Sequence, residues 1–589
     1  MSESSSAARR CVALVLGLLG LHGGASTQCC QVFAKTWGGN GDDYAVGLET
    51  GPKGNFFLFG VTDSFGNCKR DTLLLSYDPR GGFRWARVWG GTGIDETEGM
   101  VMDRLSGVIY LSGCFDCKSA TNQGVEDALF MRYDSQGKLD WVSTWDSKGL
   151  EHADSVFMDS KRNVYLVGGR GILATEDVLL LKYAPTSSGP GTPLARTWGG
   201  GRGRNSANAG CAYLPKTGPE CIYVIGNTVS SFGTRPGMDV LVQKYDTNLN
   251  HLWSRTWGTA NVDDDGWGVT VDASGNVYVG GTTGKATREA LVLSWDPSGN
   301  LRWAVTWGGL GSEGVGGLFL DPTNSNTIYL TGDTTSFGSS GKLDGLLLKI
   351  TTKGQLLWSK IWGQSQQNDF LGGIHFRDEG IYIAGCTVGK GGTLKSVKGS
   401  TANPVATINK PTLQSTTLSG RASTHTGTLR NPRNRTGLLK EAVLLQLAFP
   451  SYSIFGAGCP GSNKLTPTLT VRPGQVPKLG QPIWVDLGLA KKNAPACLII
   501  GASKKAWGPF TLPLDLTGAG APGCWLLVSV DLTLCFAVSG TGSGSVKLDI
   551  PNDASLCGVR FHNQFYILDS TANPLKLVWS NGGSGRIGG

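Results

Sequence analysis

The chain has 589 residues, among them 88 glycines, 18 tryptophans and 14 cysteines, and only 17% are charged. That length leaves room for several domains, and abundant glycine with few charges suits an all-β protein built on tight turns. The net charge of +8 concentrates in residues 390–440, which hold nine Lys or Arg and no Asp or Glu; elsewhere the chain is near neutral, which argues against a nucleic-acid-binding surface.

Arg9 and Arg10 precede a short apolar run, 12–21, and Gly23-Gly24-Ala25 offers small residues for cleavage. This pattern predicts a signal peptide over 1–27. The run is shorter than the ~20 residues of a spanning helix. The mature chain is therefore expected to be secreted or held at the cell surface, with no transmembrane segment. The cysteine content fits an oxidising destination.

From residue 36 the chain repeats. Thr36-Trp37-Gly38-Gly39 returns as Val88-Trp89-Gly90-Gly91, Thr144-Trp145, Thr197-Trp198-Gly199-Gly200, Thr256-Trp257-Gly258, Thr306-Trp307-Gly308-Gly309 and Ile361-Trp362-Gly363. A period of 50 to 59 residues marks a repeat architecture. In the unit after Trp257, strands are predicted at 266–272, 276–281, 290–295 and 301–307. The turns Asp272-Ala273-Ser274-Gly275 and Asp296-Pro297-Ser298-Gly299 separate them. Four short antiparallel strands at this spacing describe a propeller blade. An acid precedes each third strand: Asp71, Asp127, Asp177, Asp239, Glu289, Asp344 and Glu441. Its presence in every unit assigns it to the fold, as a carboxylate accepting turn N–H groups.

Six blades end at Trp362, and a seventh then has three strands but no fourth. Residues 31–37 form a fourth strand with no preceding three. The expected architecture is thus a seven-bladed β-propeller over 28–452, closed by the N-terminal strand, which removes two unpaired edges. The seven tryptophans are expected in the core. Thr36-Trp37-Gly38-Gly39, Gly41-Asp42-Asp43, Ser64-Phe65-Gly66, Lys244-Tyr245-Asp246 and Val271-Asp272-Ala273-Ser274-Gly275-Asn276-Val277-Tyr278-Val279 resemble the bacterial β-propeller repeat family known as SBBP. The resemblance spans 31–449. It implies the propeller fold and leaves the ligand open.

Blade seven is interrupted between its second and third strands. Residues 388–437, rich in Ser, Thr, Asn, Lys and Arg, are expected to be a disordered basic loop. It reads as a tolerated insertion, or as a tether for an anionic polymer or cell-surface polysaccharide. After Tyr452 the repeats stop. Apolar runs at 468–471, 483–489, 497–500, 525–530, 546–550, 559–568 and 577–579 predict a C-terminal β-sandwich over 453–589. Gly458-Cys459-Pro460-Gly461, Leu512-Pro513-Leu514-Asp515 and Val578-Trp579-Ser580-Asn581 give this stretch a resemblance to C-terminal domains of exported bacterial proteins.

Cys211 and Cys221 flank a predicted hairpin turn and are expected to form a disulfide; Cys459 is paired with Cys524. Cys68, Cys114, Cys117 and Cys386 follow second strands of neighbouring blades, and disulfides there are favoured over a metal. An acid stands six residues after most anchors, at Asp43, Asp95, Glu151, Asp263 and Glu313. Asp369 comes one step later, and Arg204 replaces the acid in blade four. These residues read either as strand-start caps or as a carboxylate collar at the channel mouth for Ca²⁺ or a cationic ligand. Asp263, Asp264 and Asp265 are the densest group, with Asp43, Asp95 and Glu313 as further members. Six scattered histidines give no catalytic spacing, and no other cofactor is expected. The functional expectation is an exported non-catalytic binding or scaffolding protein, with cell-surface polysaccharide or envelope proteins as partners. The alternative is a secreted carbohydrate-active or other hydrolytic enzyme working at the channel mouth.

Overall fold

A computed structural model gives the fold. It describes residues 31–588 apart from short loop stretches, and between 389 and 439 it describes five short strands. The expected signal peptide lies outside the described residues. The chain is all-β: among the described residues the helical segments are two 3₁₀ turns of three residues each, Thr517–Ala519 and Ala554–Leu556. No helix among them is long and apolar enough to cross a membrane. There are two compact units, one of Ala34–Arg377 with Ile381–Leu445, the other built mainly on Gln446–Gly589.

The first unit is a succession of four-stranded antiparallel sheets, a propeller-like architecture. In the first repeat the strands are Asp43–Thr50, Phe56–Thr62, Asp71–Tyr77 and Phe83–Trp89, paired in chain order. The first strands that follow are Ile94–Met102, Glu151–Met158, Asn205–Tyr213, Asp263–Val271, Glu313–Leu320 and Phe370–Arg377. The last sheet has the order Gln31–Trp37, Lys440–Leu447, Gly380–Val388, Phe370–Arg377, so the N-terminal strand fills its fourth place.

Successive sheets pack face to face. Phe57, Leu74 and Trp89 of the first repeat share a core with Met100, Leu111 and Met131 of the second, and the same layering recurs between later repeats. All seven anchor tryptophans are buried, none more than 4% exposed. The glycine after the anchor has a steric cause. A Cβ on Gly90 would stand 1.8 Å from Asp71 Oδ1, and one on Gly258 would stand 1.8 Å from Asp239 Oδ1. In these two repeats the acid before the third strand therefore reaches the anchor turn, and only glycine leaves it room; in repeat two Asp146 follows the anchor instead.

The disordered loop expected over 388–437 is corrected at five places. Thr393–Ser396 pairs with the fourth strand of repeat six, Leu356–Gly363; Ser400–Ala402 with that of repeat five, Leu301–Gly308; and Thr407–Asn409 with that of repeat four, His251–Gly258. Thr416–Leu418 pairs with Leu194–Trp198 of repeat three, and Arg421–Ser423 with Leu139–Asp146 of repeat two. The segment thus runs backwards over five sheets, adding an antiparallel fifth strand to each. Four of the five additions meet an anchor directly, as in Trp362↔Leu394, Trp307↔Thr401, Trp257↔Ile408 and Trp145↔Ala422. An exposed strand edge offers free N–H and C=O groups to any extended chain. Pairing of this kind needs no apolar periodicity, which is why composition pointed the other way.

In the second unit, one sheet has the order Ser451–Phe455, Leu577–Arg586, Arg560–Leu568, Pro495–Gly501, Leu532–Ala537. A second has Thr468–Val471, Pro482–Gly488, Gly544–Asp549. Leu469, Ile483, Val485 and Leu548 from the second share one core with Leu498, Ile500, Phe565 and Ile567 from the first. The predicted Cys459–Cys524 bond is present, with S–S 2.08 Å. A second bond, Cys497–Cys535, joins directly opposed residues.

Candidate functional site

The carboxylates singled out from sequence sit where each anchor turn enters a first strand, and they face inward. Asp43 is buried and accepts the Gly39 N–H at 2.8 Å, the Ser64 hydroxyl at 2.6 Å and the Thr62 hydroxyl. Asp95 accepts the N–H groups of Gly91 at 2.6 Å and Asp116 at 3.0 Å. Glu313 accepts the Gly309 N–H at 3.3 Å and the hydroxyls of Thr334 and Ser336. Each carboxylate closes the loop that follows Trp-Gly, which explains the fixed spacing. Burial raises the carboxyl pKa of Asp43 and Glu313, and the hydrogen bonds counteract it in part.

Asp263, Asp264 and Asp265 do not converge. They occupy consecutive positions of one strand, whose side chains alternate. Asp263 accepts the Met238 N–H at 3.1 Å. Asp264 is buried, accepts the Thr259 N–H at 2.5 Å and is the structural counterpart of Asp43; burial and Asp239 push its pKa up to about 6. Asp265 accepts from Asn208 Nδ2 at 3.0 Å and Asn227 Nδ2 at 2.9 Å. In repeat four the counterpart is Asn205, one residue beyond Arg204; it accepts the Thr228 hydroxyl at 2.7 Å. The carboxylates that do meet are Asp127, Asp146 and Glu151, with oxygens within 4.8 Å of one another.

The cysteines divide similarly. The expected Cys211–Cys221 bond is absent and both are thiols. Cys211 lies opposite Tyr223 and Cys221 opposite Tyr213, a two-residue diagonal; such neighbours stand ~7–8 Å apart, beyond disulfide reach. Cys114 and Cys117 are bonded to each other. Cys68 lies outside the described residues.

Residues that reach solvent stand three places after six of the seven buried caps, and sequence reading missed them. First strands carry a register irregularity at the same point: between Ala45 and Gly47, Thr97 and Gly99, His152 and Ser155, Ala207 and Ala209, Gly266 and Gly268, and Val315 and Gly317. A bulge re-aims the residue it contains. The positions so turned are Val46, Glu98, Asp154, Asn208, Trp267 and Gly316; Gly372, the equivalent by count, is buried. Trp267 is 43% exposed, and Glu98 and Gly316 are exposed.

Around Glu98 and Asp154 lies a dense polar group. His152 Nε2 is 3.2 Å from Glu176 and 3.4 Å from Asp154, and its Nδ1 is 3.8 Å from Glu126. Arg70 bridges Asp63 at 3.1 Å and Glu96 at 2.6 Å, and Arg204 bonds Glu176 at 2.9 Å. Burial would depress His152, but Asp154, Glu176 and Glu126 outweigh it and push the imidazole pKa up to about 10. The Glu98 carboxyl is reached by water yet enclosed by protein, and that enclosure, with Asp154 and Glu96, pushes it up to about 8. One part of the row is therefore carboxylates and an imidazolium, while Trp267 and Gly316 supply an aromatic ring and open backbone. The signal available in the sequence was a type that changes from repeat to repeat at a fixed offset from one that barely changes.

No family model matches the sequence, and no curated protein matches it. Among solved structures the chain is similar to the polysaccharide lyase Uly1, at 11% identity and TM-score 0.37, covering 64% of this chain and 90% of that one. It is also similar to a fungal alcohol oxidase of the AA5 family in complex with copper, at 14% identity and TM-score 0.31, covering 82% and 96%.

Proposed function

We propose that this is an exported protein in which a closed seven-bladed propeller precedes a β-sandwich, and that it is a non-catalytic binding or scaffolding protein outside the cell or at its envelope. Closure is supported by the N-terminal strand lying beside Lys440–Leu447. It is also supported by contact between the first and last repeats: the rings of Phe56 and Tyr382 are 4.2 Å apart, and Thr50 bonds His375 at 2.6 Å. Export is supported by the disulfides. The contact surface is the solvent-facing row of the first strands, and its ligand is a saccharide chain. The observation that carries this is the bulge repeated at one place, which exposes Glu98 and Trp267 and leaves Asp154 and Asn208 half-buried. Carboxylates and an amide match sugar hydroxyls, and an exposed indole face matches the C–H face of a pyranose.

The enzyme reading has one observation of its own. Glu98 holds its proton near neutral pH beside the carboxylate Asp154, the asymmetry that acid–base pairs in glycoside hydrolysis use. A glycan-array screen of the mature chain, followed by incubation of each captured glycan, separates the two. Saturable binding with no product, weakened at least tenfold by Trp267→Ala, is the expected result. Product formation abolished by Glu98→Gln would establish the enzyme. An empty array would remove the saccharide reading.

A further inference from the structure

In the second unit, Ala506–Trp507 and Phe510–Thr511 form a hairpin closed by Gly508-Pro509. Glycine at the first loop position, here with φ +56°, suits a two-residue hairpin turn. The hairpin is held at its root. The Leu512 N–H donates to the Lys505 carbonyl at 2.9 Å, and the Ser503 hydroxyl accepts the N–H groups of Lys505 at 3.0 Å and Ala506 at 3.1 Å. Beyond that root it stands clear of the chain: all eight residues from Lys504 to Thr511 are exposed, and a Cβ on Gly508 would meet no atom within 4 Å. Trp507 and Phe510 are paired directly across the hairpin, 37% and 48% exposed, with ring centroids 6.0 Å apart. Two adjoining aromatic rings at the tip of a held loop mark a contact surface.

We propose that this hairpin is an interfacial anchor that seats the second unit on an anionic lipid bilayer. Charge complementarity selects the occupant. Lys504 and Lys505 adjoin the rings, and residues 487–514 hold four Lys and no Asp or Glu. Residues 453–589 as a whole have eleven Lys or Arg against six Asp and no Glu. Lys504 lies over the Phe455 ring at 5.0 Å and stays exposed. At the root, Asp531 is engaged by the Ala502 N–H at 2.6 Å and the Ser529 hydroxyl at 3.0 Å. An indole and a phenyl ring at headgroup depth, with ammonium groups meeting lipid phosphates, form the chemistry by which a peripheral protein lies on a membrane. A saccharide site would need polar groups converging around the rings, but the tip between Lys505 and Thr511 is Ala, Trp, Gly, Pro and Phe. Trp525 is another exposed indole of this unit, yet it stands opposite the carboxylate Asp515, which an anionic surface repels. It is left out of the anchor. The hairpin shares no residue with the first-strand row.

The mature chain would be sedimented with vesicles of phosphatidylcholine and phosphatidylglycerol in equal parts, and with vesicles of phosphatidylcholine alone. Binding about tenfold tighter to the anionic vesicles is expected, because ammonium groups near the surface gain from its negative potential. Trp507→Ala combined with Phe510→Ala should weaken that binding at least tenfold. Lys504→Gln combined with Lys505→Gln should cut the preference for phosphatidylglycerol about fivefold. Trp525→Ala should bind like the parent. All these side chains are exposed, so thermal unfolding should be unchanged in every variant. Depth gives a second readout: phosphatidylcholine brominated in its acyl chains should quench tryptophan emission of the parent but not of Trp507→Phe, which keeps an apolar ring and should stay bound. No vesicle binding, equal binding to both compositions, binding untouched by loss of the two rings or of the two lysines, or the same quenching in Trp507→Phe would each overturn the proposal. Capture of a glycan, or self-association of the chain, that Trp507→Ala abolishes in the absence of vesicle binding would overturn it in favour of that occupant. Trp267→Ala should leave vesicle binding unchanged, so failure of the saccharide reading is told apart from failure of this one.

Discussion

Two rows of residues lie three places apart on the same strands, and they differ in almost every respect. The first row, Asp43, Asp95, Glu151, Asn205, Asp264, Glu313 and Asp369, is uniform and buried. The second, Val46, Glu98, Asp154, Asn208, Trp267 and Gly316, is varied and half-buried to exposed, with Gly372, its equivalent in the last repeat, buried. In a repeat protein each unit solves the same folding problem, so what recurs in every unit answers the fold. What departs from unit to unit at one geometric position is free to answer a ligand. The acids that read from sequence either as strand-start caps or as a collar fall, by this criterion, on the side of the caps.

Removing a uniform feature has the largest expected effect. Trp89→Ala deletes a fully buried indole from the core between the first two repeats and should cost ~3–5 kcal/mol, measured by urea denaturation. Asp43→Ala comes next. It leaves the Gly39 N–H and the hydroxyls of Thr62 and Ser64 without their acceptor in a buried turn, and should cost roughly 2–4 kcal/mol. An Asp43→Ala protein as stable as the parent would show that the first row does not hold the turn.

The repeat was legible because its cause is local. The anchor indole, the glycine that yields to Asp71 and the acid that closes the loop all act within one unit, so periodicity exposes them. Cys211 with Cys221 misled because sequence spacing does not reveal a two-residue diagonal. The fifth strands were hidden for a different reason. Thr416–Leu418 is ordered by the edge of Leu194–Trp198, more than two hundred residues away, and nothing in its own composition announces that edge. Glu98 and Trp267 were hidden because a bulge, which no residue type marks, decides which way they point.

Titration of the first row has a smaller effect. Asp264 has its pKa raised in the folded state, to about 6 from 3.8, so the fold binds its proton more tightly than the unfolded chain does. Its contribution to stability is full below pH 3.8 and is lost as pH rises through about 6. Asp239, the facing carboxylate, is shifted in the same direction. His375 opposes them: burial lowers its pKa to about 4, so its contribution is present above pH 6.5 and is lost as pH falls towards 4. The useful quantity is therefore the difference between parent and Asp264→Asn across pH 4–7. The variant should gain relative to the parent as pH rises, and a difference flat in pH would show that Asp264 is not strained by burial.

The smallest expected change in stability is the most telling. Glu98→Gln alters a solvent-reached position that closes no turn, so unfolding should shift by less than ~0.5 kcal/mol. Trp267→Ala, at an exposed indole, should be similarly mild. Both should nevertheless lower capture of a saccharide that the parent binds. Only together do the two readouts test the division of labour: a second-row change that unfolds the protein makes that row scaffold as well, and one that leaves both stability and capture unchanged makes it plain surface.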